Sequence, residues 1–223
     1  MATIHIVRHG QALHNVDRGY LHRDPPLTEV GSQQASNVCL PAQPDLIIVS
    51  PMTRTIQTAL IIFDQYVNSS STNVELQVWP DLRETHDEAI CNKGLSRAEI
   101  ATKFAQLDFS ACHEEWDYPP HSSEGAVVRA ETVRGRLREL SRSYKNIFLV
   151  THRGFIAFLV KGERFDVCEC RSYRFAAEGE VNDQRQGINC DTGEKQDFGP
   201  SLLLPIILPS HDDGSCDRER SET

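Results

Sequence analysis

Ile4-His5-Ile6-Val7-Arg8-His9-Gly10 is the stretch whose reading decides how this chain folds. Ile4 to Val7 is a short apolar run, and it stops at Arg8-His9-Gly10, where a polar loop begins. A brief apolar run of this kind suits a strand covered on both faces. A histidine at the end of a buried strand, flanked by a guanidinium and followed by glycine, is well placed to attack an anionic phosphoryl group. Ile147-Phe148-Leu149-Val150 repeats the arrangement, with Thr151-His152-Arg153-Gly154 behind it. Two such histidines are expected to meet at one edge of a sheet.

Outward from these turns, strands are expected over Thr3 to Val7, Leu46 to Ser50, Val74 to Trp79 and Ile147 to Thr151. Helices are expected over Thr28 to Cys39, Thr53 to Tyr66, Ser96 to Leu107 and Glu124 to Ser143, the first opened by Thr28 as N-cap. Alternating strands and helices imply an α/β fold, a three-layer α/β/α sandwich around a largely parallel sheet. Ligands of such sheets lie outside the carboxyl ends of the strands. His9, Arg54 and His152 each follow a strand end. Arg171 to Ala176 reads as a late strand, and Ser201 to Leu208, broken by Pro205, as an edge strand or packed tail. The irregular stretch from Asp108 to Ser123 is read as part of an insertion over residues 86–123 that covers the active site. A single domain over 1–208 is expected, followed by a polar, disordered tail over 209–223.

Composition bounds the setting. The 223 residues suffice for one sizeable core. A net charge of −9 argues against nucleic acid and anionic membrane as partners, and no apolar run reaches membrane-spanning length. Met1-Ala2-Thr3-Ile4-His5 does not read as a secretory signal, so a cytoplasmic protein is expected. The seven cysteines lack paired metal-ligand spacing, with Cys168-Glu169-Cys170 the only close pair, and read as reduced thiols. Asn68-Ser69-Ser70 matches a glycosylation acceptor that would be idle in such a setting.

Arg8-His9-Gly10-Gln11-Ala12-Leu13-His14-Asn15, Leu27-Thr28-Glu29-Val30-Gly31, Ser50-Pro51-Met52-Thr53-Arg54-Thr55-Ile56-Gln57-Thr58-Ala59, Leu82-Arg83-Glu84 and Thr151-His152 follow one another in this order. Together they resemble the histidine phosphatase superfamily, and within it the phosphoglycerate-mutase-like branch. The resemblance implies a phosphomonoester hydrolase acting through a phosphohistidine on a small phosphorylated metabolite, with neither metal nor cofactor. Homo-oligomerisation is compatible with it. By this resemblance His9 is the nucleophile, Arg8 and Arg54 hold the phosphate, His152 stabilises the transition state, and Glu84 is the general acid.

Asp87 and Glu88 are close enough in sequence to compete with Glu84 for that role. Asn15 is expected to contact phosphate, and Gly10 to let the backbone approach the anion. Gln11, His14, Arg23, His86, Lys93 and Arg97 are candidates for substrate selectivity. Arg153 departs from the pattern, because small residues usually follow the second histidine; an extra cation there either holds a second anionic group or fills space meant for substrate. Two rival readings remain. A phosphomutase would return the phosphoryl group to a sugar acid, but mutases of this branch generally carry Glu and then Trp where this chain has Gln11 and His14. A binding or regulatory protein would keep the pocket without turnover, yet such lineages usually lose the nucleophile or the acid.

Overall fold

A computed structural model describes residues 2–206 apart from 18, 69–73 and 120. In chain order the elements are β1 (Thr3–Arg8), α1 (Leu13–Val16), α2 (Glu29–Ser36), β2 (Leu46–Val49), α3 (Thr53–Ile62), α4 (Asp64–Val67), β3 (Glu75–Val78), α5 (Arg97–Lys103) and α6 (Ser123–Leu140). They continue with β4 (Asn146–Thr151), α7 (Arg153–Leu159), β5 (Cys170–Phe175), α8 (Glu178–Gln184), β6 (Gln186–Ile188), β7 (Lys195–Asp197) and β8 (Leu203–Pro205). Six strands form one sheet in the order β3-β2-β4-β1-β5-β8, and β6 pairs with β7 in a separate hairpin. Strands β3, β2, β4 and β1 are parallel, whereas β5 runs antiparallel to both β1 and β8.

The largely apolar strands β1, β2 and β4 are explained by the two cores they divide. Ile4, Ile6, Leu46, Ile48, Ile147 and Leu149 face α6 and α7. Val7, Ile47, Val49, Phe148 and Val150 face α3 and the α5 region. Successive side chains of a strand point to opposite faces, so a sheet covered on both sides needs apolar residues at every position. Side-chain caps start several helices: Thr28 accepts from the Gly31 amide at 3.0 Å, and Ser122 accepts from the Gly125 amide at 3.2 Å. Ser96 and Glu99 form a reciprocal capping box at the start of α5.

Several expected bounds change. The helix expected over Thr53 to Tyr66 breaks at Phe63, which leaves helical geometry and packs its ring against Phe148 at 5.2 Å. The helices expected to reach Cys39, Leu107 and Ser143 end at Ser36, Lys103 and Leu140. Helix α7 was not expected from sequence. Its residues Gly154 to Leu159 are all buried, so the segment has no polar face and no helical period to betray it. The Pro205 segment is an edge strand, in keeping with the missing amide of proline. The expected tail from residue 209, Pro120, and Ser69 and Ser70 of the glycosylation match lie outside the described residues.

Candidate active site

Pairing of β1 with β4 sets Arg8 opposite Thr151, so the residues that follow, His9 and His152, emerge side by side. Their ring centroids are 5.3 Å apart, and both rings are buried. His9 donates from Nδ1 to the carbonyl of Gly10 at 2.7 Å. A carbonyl can only accept, so the proton is fixed on Nδ1 and the lone pair on Nε2. Burial, reinforced by the Arg54 charge, holds the imidazole well below its ordinary pKa and keeps it neutral. His152 pairs through Nε2 with Ser50 Oγ at 2.8 Å, while its buried Nδ1 has no partner among the described residues.

A third imidazole joins them. His14 lies 6.0 Å from His9, centroid to centroid. Asn15 Nδ2 donates to His14 Nε2 at 3.1 Å, which places the His14 proton on Nδ1, another buried nitrogen without a partner among the described residues. Burial, followed by the charges of Arg54 and Arg8, pushes the His14 pKa down to about 3. Asn15 Oδ1 also accepts from the Ala12 amide at 2.9 Å, fixing the turn.

Arg54 is fully buried at the start of α3. Met52 cannot cap this helix, and Asp24 does so from a distant loop, accepting from the Thr53 amide at 2.8 Å and the Thr53 hydroxyl at 2.6 Å. The guanidinium of Arg54 donates to the Cys91 carbonyl at 3.1 Å and to Asn92 Oδ1 at 3.4 Å, while its Nε has no partner among the described residues. Arg8 donates to the carbonyl of Phe165 at 2.8 Å. Two arginines are thus anchored at one end with donors to spare.

Glu84 reaches the same place from the turn after β3. Its Oε1 accepts from the amides of Thr85 at 2.9 Å and Phe155 at 3.0 Å, so this carboxylate caps α7 from outside the helix. A Cβ on Gly154 would lie 2.5 Å from that oxygen, which explains glycine there. Behind Glu84, Arg129 of α6 donates to the carbonyls of Asp81, Arg83, Glu84 and Thr85 at 2.9–3.0 Å. His121 donates from Nε2 to the Glu84 carbonyl at 3.2 Å, because only the ring can supply the proton.

These groups surround a cavity of about 410 Å³ lined by Arg8, His9, His14, Asn15, Glu84, Thr85, His86, Cys91, Asn92, Arg153, Gly154 and Asp191. Arg54 and His152 lie buried behind it. Gln11 is not in the lining: its side-chain oxygen accepts from the Thr28 hydroxyl at 2.9 Å. Gly10 serves packing, since a Cβ would lie 2.7 Å from the Gly31 carbonyl, and its amide is taken by Thr58 Oγ1 at 3.0 Å. Among the other selectivity candidates only His14 and His86 line the cavity; Arg97 pairs with Glu114 and Arg23 with the Gly94 carbonyl. Asp24, Arg129, Cys91, Asn92 and Asp191 were not read from sequence, and no local signal marks them: each acts on a residue distant in the chain.

Comparison with known proteins gives the same assignment. The sequence profile of the histidine phosphatase superfamily (branch 1) matches residues 4–166. A probable phosphatase of Schizosaccharomyces pombe is 37% identical over 124 residues, covering 52% of this chain and 56% of that protein, so the chain spans about half the length of this relative. A phosphoglycerate mutase-like protein of Arabidopsis thaliana is 29% identical over 208 residues, covering 75% of this chain and 76% of its own. The crystal structure of an Escherichia coli protein described as an alpha-ribazole-5'-P phosphatase superposes with a TM-score of 0.57 at 21% identity, over 96% of this chain and 98% of that one. That likeness is one of fold. With paired histidines at adjacent strand ends and a profile match across most of the α/β domain, the chain belongs to the histidine phosphatase superfamily.

Proposed function

We propose that this chain hydrolyses phosphomonoesters of a small metabolite through a phosphohistidine. The observation that carries the reading is the His9 ring, whose Nδ1 proton is committed to the Gly10 carbonyl and whose Nε2 is left as the nucleophile. In the first step Nε2 attacks phosphorus, the P–O bond to the leaving group breaks, and Glu84 gives that oxygen its proton. In the second step Glu84 takes a proton from water, the hydroxide attacks the phosphohistidine, the P–N bond breaks, and inorganic phosphate leaves. Arg8, Arg54, His14, Asn15 and His152 supply donors to the nonbridging oxygens, where charge develops in the transition state. A divalent ion is not required for that task, since two guanidiniums already provide the cationic clamp.

Residues 1–208 act as one catalytic domain in this reading, and the segment over 86–123 shields the site, supported by His86, Cys91 and Asn92 in the cavity wall. Among the described residues Cys91, Cys112, Cys168, Cys170 and Cys190 are free thiols, which suits a reducing cytoplasm. Among the described residues no helix is long and apolar enough to cross a membrane. Transfer to water is favoured over return to a sugar acid because Gln11, bound to Thr28, is not available to grip an acceptor. Incubation with 3-phosphoglycerate and catalytic 2,3-bisphosphoglycerate should therefore give little 2-phosphoglycerate, while p-nitrophenyl phosphate should release phosphate with or without EDTA. Isomerisation faster than phosphate release would favour the mutase reading, and loss of activity on chelation with rescue by a divalent ion would contradict the cationic clamp.

A further inference from the structure

Arg153 opens α7 and lines the outer part of the catalytic cavity, next to the buried His152. Opposite it stands Asp191, from the turn that joins β6 to β7, beyond the 4–166 span of the family match. That turn is built rather than loose. Asn189, 1% exposed, accepts from the amides of Asp191 at 2.9 Å and Thr192 at 3.1 Å, and donates to Gln196 Oε1 at 2.8 Å. Gln196 in turn donates to the Phe158 carbonyl at 3.0 Å, locking the hairpin onto the helix that begins with Arg153. Arg164 fixes the turn from the other side, through the carbonyls of Cys190 at 3.0 Å and Asp191 at 3.1 Å.

The charges at this end do not cancel. The single carboxylate of Asp191 faces two guanidiniums, with Arg164 at 3.6 Å and Arg153 at 3.8 Å. The Arg153 approach is longer than a hydrogen bond, so its planar fork keeps its donors for another oxyanion. Its charge reaches the phosphate end as well: burial first, and then Arg153, hold the Arg8 guanidinium below its ordinary pKa. A phosphate dianion is met by Arg8 and Arg54, which leaves Arg153 as a cation without a substrate charge to answer it. The cavity, about 410 Å³, holds more than a phosphate group.

We propose that Arg153, braced by Asp191 and Arg164, is a subsite for a second oxyanion, so that the substrate is a phosphomonoester also carrying a carboxylate or a second phosphate. This rests on the phosphatase reading. It is tested by competition against p-nitrophenyl phosphate, which measures binding whether or not the competitor is turned over. Two pairs of competitors serve: 3-phosphoglycerate against glycerol 3-phosphate, which exchanges a carboxylate for a hydroxymethyl, and fructose 1,6-bisphosphate against fructose 6-phosphate.

In the wild-type chain the more anionic member of at least one pair should inhibit about 10-fold better, the worth of one partly solvated charge-assisted contact. Arg153→Ser should bring that ratio close to one, Arg153→Lys should restore part of it, and Asp191→Asn, which frees positive charge, should widen it. The pair that responds identifies the oxyanion. Equal inhibition within both pairs, or a ratio that Arg153→Ser leaves unchanged, overturns the inference while the phosphatase reading stands. Absence of p-nitrophenyl phosphate hydrolysis defeats both.

Discussion

Glu84 is held by hydrogen bonds that a glutamine can also accept, from the amides of Thr85 and Phe155. Glu84→Gln should therefore leave the turn in place and remove only the transferable proton. Alkyl phosphates, whose leaving oxygen needs that proton, should slow about 100-fold or more, and p-nitrophenyl phosphate much less. Steady-state rates on the two esters check this; equal losses, or a larger effect from Asp87 or Glu88 variants, would move the acid elsewhere. At this scale Arg8, His9 and His152 stand out at the ends of apolar runs, whereas Arg54, separated from Val49 by four residues, and the roles of all four came from the family resemblance. Gln11 and Gly10 were harder, since what occupies them is Thr28, Thr58 and Gly31, which the sequence places in other segments.

Helix α6 does for the Glu84 turn what no residue within that turn does. Four carbonyls converge on the Arg129 guanidinium, which burial, followed by the charge of Arg83, pushes down to about 9 while Phe155 covers it at 4.5 Å. Arg129→Met removes this donor from a buried turn and leaves the Glu84 carbonyl to His121 alone, at a cost of about 3 kcal/mol or more. If the clamp positions the acid, the surviving folded enzyme should reproduce the Glu84→Gln signature, losing alkyl phosphates more than nitrophenyl phosphate; Arg129→Lys should recover only part. Uniform loss across esters would make Arg129 merely structural. The helix α6 itself was expected from its pattern, but the use of its buried arginine was not, because the partners lie more than forty positions away. Helix α7 escaped for the reverse reason, being buried from Gly154 to Leu159.

Across the molecule, the sheet was the most legible feature, as continuous apolar runs leave few alternatives to strands covered on both faces. The hairpin of β6 and β7 was not, since its short segments carry no period. The three imidazoles of the site and His121 share one response to pH. Burial is the first cause of each depressed pKa, to about 3 for His14, about 4 for His121, and well below the ordinary value for His9 and His152. These groups stay neutral in the folded chain while the unfolded chain takes up protons below about pH 6.5. Stability is then fully present above that pH and is lost as pH falls through the window down to about 3–4. Asp24, whose carboxyl burial raises, acts in the opposite sense. Thermal melts should show Tm falling by about 5 °C or more between pH 7 and 5.5; a flat Tm over that range would mean the folded chain takes up protons as readily as the unfolded one.

Covalent capture of the phosphoryl group tests the catalytic reading most directly. Rapid quench with labelled substrate should trap an acid-labile, alkali-stable adduct on the peptide containing His9, absent from His9→Ala, which should also lose turnover. A His9→Ala variant with full activity, or label on another peptide, would contradict it.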